Sequence, residues 1–287
     1  MSWSASSRRP PPTEPGAAFC IFSWPKRNRS ASRCDRCVTW HALPVRIATW
    51  NLEQAQPSSA AGQLQTEVMT EVAADIWIVT ETPAQFPLTG FATADSAPML
   101  TARPAAFTII AAPELTQLPV PELPTGTAAL IENRDGKWLV VGVCMPWRAG
   151  SPTLPPQAAP GASTGPAQWH HVLSALDAAI NRLRTVAPDA ELLLGGDFNQ
   201  TFASHVVGSH RGRAALKQMV ITQGLTSYTA RSLSATSGCL AIDHLFGPPT
   251  RTTARCWMPP APAGRAMTCS DHAGYVIDLA AAPPACA

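Results

Sequence analysis

Glu191-Leu-Leu-Leu-Gly-Gly-Asp197-Phe-Asn199 decides how the rest of the chain is read. Its apolar run has the length of a strand, and an unbroken run of this kind marks a strand buried in a layered core. It ends in a carboxylate and an amide, which a core strand has no use for. Before it, Ala167 to Val186 carries apolar residues at helical spacing, and after it Arg213 to Gly224 does the same with a glycine at its end. A buried strand between two helical patterns is the signature of a mixed α/β layered domain.

Working outward, the same alternation covers the chain from Val45 onward. Strands are expected at Val45 to Trp50, Asp75 to Thr80, Phe107 to Ala112, Ala128 to Glu132, Trp138 to Met145, Leu240 to Phe246, Thr252 to Met258 and Tyr275 to Ala280. Asn133-Arg-Asp-Gly136 reads as a hairpin turn between two of them. Gln63 to Ala74 is expected as a helix burying Leu64, Val68 and Val72, and Ala149 to Pro166 as a loop rich in Pro, Gly, Ser and Ala. No internal repeat is present.

Composition agrees with one packed domain and an appendage. The chain has 287 residues, 46% apolar and 14% charged. Length alone suggests two domains, yet layered domains of about 200–250 residues are common. Eight cysteines are too few for a disulfide scaffold, and no apolar run is long enough to span a bilayer. The net charge of +2 is a sum of unlike parts: residues 1–44 hold seven basic and two acidic residues, whereas 45–287 hold 14 basic and 17 acidic. The first segment, with six prolines and no periodicity, has the composition of a disordered extension. It lacks a signal-peptide pattern, so a cytoplasmic location is expected. Cys34-Asp-Arg-Cys37 has the spacing of half a zinc site without a matching second pair. The abrupt change at Val45 also suggests a natural start there, which terminal mapping of the protein from its source would test.

The polar residues at strand ends carry the chemistry: Asn51, Glu81, Asp197 with Asn199, Asp243, and Ser270-Asp271-His272. Each has a bland reading alone. Asn51 and Asp197 suit turns or helix caps, Glu81 a solvated strand exit, and His272 a core histidine with a partner. Taken together, they are amides and carboxylates that strand ends bring to one rim. Oxygen donors of that kind suit a hard cation such as Mg²⁺, and a histidine beside an aspartate supplies a base titrating near neutrality.

Trp50-Asn51-Leu52-Glu53, Ile78-Val-Thr-Glu81-Thr82, Gly195-Gly-Asp197-Phe-Asn199, Ile242-Asp243-His244 and Ser270-Asp271-His272 resemble, in order, the motifs of the endonuclease/exonuclease/phosphatase superfamily. The resemblance spans Arg46 to Leu279. It implies a DNase I-like four-layer α/β sandwich, with two packed mixed β-sheets flanked by helices. It also implies Mg²⁺-dependent hydrolysis of phosphate esters, with Mn²⁺ as the alternative ion. By this likeness Glu81 and Asn51 are the principal metal ligands and Asp271 completes the shell. His272 is the base acting on the attacking water, and Asp243 orients and charges its ring. Asp197 is the acid that protonates the leaving oxygen, and Asn199 donates to the phosphate oxygens.

Two features depart from the family pattern. Relatives often place histidine or tyrosine near Cys144, where a thiol is a weaker phosphate donor; Arg148, His170 and His171 are the residues available to substitute, although His170 and His171 read first as a helix surface. The basic footprint of a duplex binder is also thin, with only Arg211, Arg213 and Lys217 clustered. The expectation is therefore a phosphodiesterase or endonuclease with a phosphate-ester substrate, nucleic acid leading. A phosphatase, a lipid or inositol phosphodiesterase, and a non-catalytic scaffold whose basic tail binds nucleic acid are the alternatives. Trp169, Val172 and Leu176 read as core, and Cys144, Cys239, Cys256 and Cys269 as small buried residues.

Overall fold

A computed structural model of the chain describes residues 45–83, 90–96, 106–111, 115–133, 136–146, 165–202, 207–230, 241–250, 252–257 and 268–279. The tail 1–44, the turn residues 134–135, Arg148, Cys239 and most of the 149–166 loop lie outside them. Two six-stranded sheets form the described domain. The first contains β1 (Val45–Asn51), β2 (Ile76–Thr82), β3 (Ala92–Asp95), β4 (Ala106–Ala111), β11 (Thr252–Trp257) and β12 (Gly274–Leu279), ordered β11-β12-β1-β2-β4-β3. The second contains β5 (Thr116–Leu118), β6 (Gly126–Asn133), β7 (Gly136–Cys144), β8 (Glu191–Asp197), β9 (Thr226–Ser227) and β10 (Asp243–Gly247), ordered β5-β6-β7-β8-β10-β9. With α1 (Ala60–Val72), α2 (Gly165–Val186) and α3 (His210–Thr222) outside the sheets, this is the expected four-layer sandwich.

Strand periodicity explains the layers. Val45, Ile47, Ile76, Ile78, Ile277 and Leu279 of the first sheet pack against Val140, Leu193 and Leu245 of the second. The alternate residues of the second sheet, Leu139, Val141, Val143, Leu192, Leu194 and Phe246, pack outward with Trp169, Val172 and Leu176 of α2 and Leu216 of α3. Trp169, Val172 and Leu176 are therefore core, as expected. Arg46 points out of the other sheet, where its guanidinium donates to the Val72 carbonyl at the end of α1 and to Asp278 at 2.7 Å.

β8 has the bounds expected, whereas other elements shift by a few residues. Helix α1 starts at Ala60, capped by the Ser59 hydroxyl, which accepts from the Gly62 amide at 3.1 Å. It buries Gly62, Gln65, Met69 and Val72 rather than a Leu64–Val68–Val72 stripe. Gln65 is buried because its amide donates to the carbonyls of Leu52 and Cys269, a role that apolar periodicity does not register. Helix α3 starts at His210, three residues before the expected Arg213, under a Ser209 cap. β10 begins at Asp243, three residues after the expected Leu240, so that aspartate sits at the strand start.

Candidate active site

Residue parity aims the site. In β8, Leu193 faces the interior between the sheets, and so does every second residue through Gly195 to Asp197. Asp197 pairs directly with Cys144 in the parallel β7–β8 ladder and with Asp243 in the antiparallel β8–β10 ladder. Directly paired residues share a face, so Cys144, Asp197 and Asp243 form one row at the open end of the sandwich. Asn51 ends β1 on the same interior face, two steps beyond Thr49 and four beyond Ile47. Parallel strands deliver their last residues to this rim, and antiparallel strands their first.

Glu81 needs a distortion to join them. Period two places Thr80 inward and Glu81 outward. The β2–β4 register shifts between Val79 and Thr82, and Glu81 adopts a φ of 50°. A bulge of this kind re-aims a side chain, at a cost of about 1–2 kcal/mol for a non-glycine left-handed residue. The result is a hydrogen bond from Asn51 Nδ2 to Glu81 Oε1 at 3.1 Å, while the same amide donates to Asp197 Oδ2 at 3.2 Å. Asn199, also left-handed at 48°, donates from its backbone to Asp197 Oδ1 at 2.8 Å and from its side chain to Oδ2 at 2.9 Å.

His272 completes the arrangement. Its Nδ1–H donates to Asp243 Oδ2 at 2.7 Å, while Nε2 lies 3.5 Å from Asp271 Oδ1. Burial alone would lower the pKa of His272, but the charge and hydrogen bond of Asp243 outweigh it and raise it to about 10. Asp197 is pushed up to about 8, by burial first and then by the Asp243 charge, against the donors from Asn199. The Cys144 thiol is raised for the same reasons, burial and then the charges of Asp197 and Glu81. An excess of negative charge is thus packed into one poorly hydrated place.

The loops that carry these groups are tied to one another. Ser270 Oγ donates to the Asn51 carbonyl at 2.8 Å and accepts from the His272 amide at 3.1 Å. Trp50 Nε1 donates to the His272 carbonyl at 3.0 Å. Gln65 bridges Leu52 and Cys269, joining both sides of the rim from α1. Of these ties, the sequence marked Trp50 and Ser270 only as motif neighbours and left Gln65 unnoticed. Its single signal is a polar residue inside an otherwise apolar helix face.

Not every expected residue converges equally. Asn51, Glu81, Asp197, Asn199, Asp243 and His272 meet, whereas the Asp271 carboxylate is 72% exposed and touches the cluster through His272 Nε2 at 3.5 Å. Cys144 lies in the site, as its place in the strand suggested. His170 stacks edge-on against Trp169, and burial lowers its pKa. Arg213 is buried with Nε donating to the Thr201 carbonyl at 3.2 Å, so it is a structural residue and leaves the basic cluster thinner.

Two groups of donors fit a cation. One comprises Glu81, Cys144 and Asp197, the other Asp197, Asp243 and His272, each with ligand atoms within 4.8 Å of one another. Asp243 is fully buried, and its Oδ1 has no hydrogen-bond partner among the described residues. Carboxylates crowded together with an unsatisfied oxygen match the requirement for a bound positive charge.

Solved structures share this fold. The endonuclease domain of TRAS1, a telomere-specific non-LTR retrotransposon, superposes with a TM-score of 0.54 at 17% identity, covering 83% of this chain and 99% of that one. The human Nocturnin catalytic domain with bound sulfate gives 0.55 at 16%, with 82% and 93% covered. A Neisseria 3′ phosphatase, NExo, bound to product DNA hairpin gives 0.56 at 18%, with 83% and 99% covered. Among curated proteins no relative matches. The model of the endonuclease/exonuclease/phosphatase family matches residues 48–272, most of the chain and all of the site, and the protein belongs to that family.

Proposed function

We propose that the protein is a divalent-cation-dependent phosphodiesterase, with Mg²⁺ the ion and nucleic acid the leading substrate class. The observation that carries this reading is the Asp243–His272 pair at 2.7 Å, set beside a buried Asp197 in one cluster. With positive charge from a bound ion displacing the proton that the ring otherwise keeps at neutrality, His272 Nε2 would accept the proton of the attacking water while Asp243 holds the ring and stabilises its charged form. Asp197, whose raised pKa near 8 keeps a proton available at neutrality, gives it to the leaving oxygen. Asn199 orients a phosphate oxygen. Asn51 and Glu81 would hold the ion, and Asp271, exposed at the rim, would complete its shell. A bound ion would supply charge that neutralises the carboxylates and the phosphoryl oxygens.

Nucleic acid leads because the superposed structures include an endonuclease domain and a phosphatase bound to DNA. Location in the cytoplasm, and a division into a basic extension at 1–44 and a phosphohydrolase domain at 45–287, belong to the same proposal. Among the described residues no helix is long and apolar enough to cross a membrane. A panel of plasmid DNA, abasic duplex, RNA, inositol phosphates and sphingomyelin, each with Mg²⁺ and with chelator, tests it. Cleavage of a nucleic acid that the chelator stops is expected. Cleavage of the inositol or lipid ester alone would move the assignment to that substrate, and no Mg²⁺-dependent cleavage of any would overturn it.

A further inference from the structure

The reaction above uses the oxygen and nitrogen atoms of the rim and leaves its one sulfur idle. Cys144 ends β7 directly beside Asp197, in the row that continues to Asp243, and Glu81 reaches that row from the opposite sheet. One ligand atom each from Glu81, Cys144 and Asp197 lies within 4.8 Å of the others. Small side-chain rotations bring such a trio onto one ion. Asp243 adds an independent observation. It stands next in the same row, is fully buried, commits Oδ2 to His272, and leaves Oδ1 with no partner among the described residues. A buried carboxylate oxygen without a donor is unfavourable, and a cation in the row relieves it.

The identity of the donors selects among cations. Mg²⁺ is hard and gains nothing from sulfur, whereas zinc-class ions take thiolate and carboxylate together at tetrahedral sites. Cys144 is partly buried, packed against the interior core at the end of β7 beside Asp197. We propose that Glu81, Cys144 and Asp197 bind a zinc-class divalent cation through mixed sulfur–oxygen coordination, in competition with the magnesium-class ion for the Glu81 carboxylate. On binding, the Cys144 S–H bond breaks and its proton goes to solvent. The sulfur lone pair forms the new bond to the cation, and no redox change occurs. The binding rests on geometry alone. Its consequence, inhibition of hydrolysis by zinc-class ions, rests on the hydrolase reading.

Cobalt(II) is the probe, because a sulfur-to-cobalt charge-transfer band reports the bond without any need for turnover. Cys34 and Cys37 also have ligand spacing, so the full-length chain is tested as the Cys34→Ser/Cys37→Ser variant under phosphine reductant. One cobalt per chain, a charge-transfer band and release of a proton are expected, with displacement by zinc and a weaker apparent affinity for cobalt as Mg²⁺ is added. Cys144→Ser and Cys144→Ala in that background lose the band, and far-ultraviolet circular dichroism checks that either variant stays folded. Cys256→Ser keeps it. No band in the parent, or a band surviving in a folded Cys144 variant, overturns the proposal. Either result leaves the Mg²⁺ panel above to stand or fall separately.

Discussion

Asp197 holds the central tension of the site. Its folded pKa is raised from 3.8 to about 8, so the folded chain retains a proton that the unfolded chain releases. That stabilising contribution is fully present below the unfolded value and is lost as pH rises through about 8. In the absence of cation, Asp197→Asn is therefore expected to raise the melting temperature near pH 9 while abolishing hydrolysis. Thermal denaturation of the two chains, with a turnover assay, measures both; a lower melting temperature for the variant would show that the carboxylate is not strained. The same reasoning links cation and proton. Mg²⁺ held at Glu81 beside Asp197 favours the charged Asp197 carboxylate, so the stabilisation the ion confers should grow between about pH 6 and about pH 9. Melting curves with and without Mg²⁺ check this, and a pH-independent shift would contradict it. Glu81 illustrates the limit of reading residues singly. Its presence near the end of a strand is legible, but the bulge and the φ of 50° that turn it inward come from pairing with β4.

Elements place the residues by register. β8 and the body of α2 were legible because their apolar patterns are long, whereas β3, β5 and β9 have four, three and two residues and carry too little pattern to see. The buried face of α1 was misread because a hydrogen-bonded Gln65 counts as polar in any periodicity. Two element contacts make specific predictions. A Cβ on Gly274 would lie 1.9 Å from the Trp257 ring, a rigid group across the β11–β12 ladder. Gly274→Ala is expected to destabilise the fold by about 1–3 kcal/mol, measured by chemical denaturation. His244 is fully buried, its Nε2–H donating to the Gln200 carbonyl at 2.8 Å and its Nδ1 facing the Thr229 hydroxyl at 3.0 Å. Burial lowers its pKa to about 4, so the unfolded chain binds a proton that the folded chain refuses. Its contribution falls as pH drops from 6.5 towards 4, by on the order of 3 kcal/mol. His244→Gln should flatten that acid limb of the stability profile.

Across the whole molecule, the two sheets let distant segments supply one rim: Asn51 and Glu81 come from one sheet, Asp197 and Asp243 from the other, and His272 from the segment before β12. The order of the motifs was legible in the sequence, because each is a short polar signal at a strand end. The pairing of Cys144, Asp197 and Asp243 in one row was not, since register between strands is a property of the assembled sheet. Charge is also divided by region, with the basic excess in residues 1–44 and a slight acidic excess in 45–287. Removal of residues 1–44 is expected to preserve turnover of a small phosphodiester and to weaken DNA binding, read by mobility shift at fixed salt. Lost turnover would place the tail in the catalytic machinery.

The most direct measurement is the Mg²⁺-dependent hydrolysis of a bis-aryl phosphodiester by the parent chain and by His272→Ala, both verified as folded. Turnover in the parent, none with chelator, and a fall of about 10²-fold or more in kcat for the variant are predicted. A folded His272→Ala chain that hydrolyses the ester at the parent rate would contradict the account.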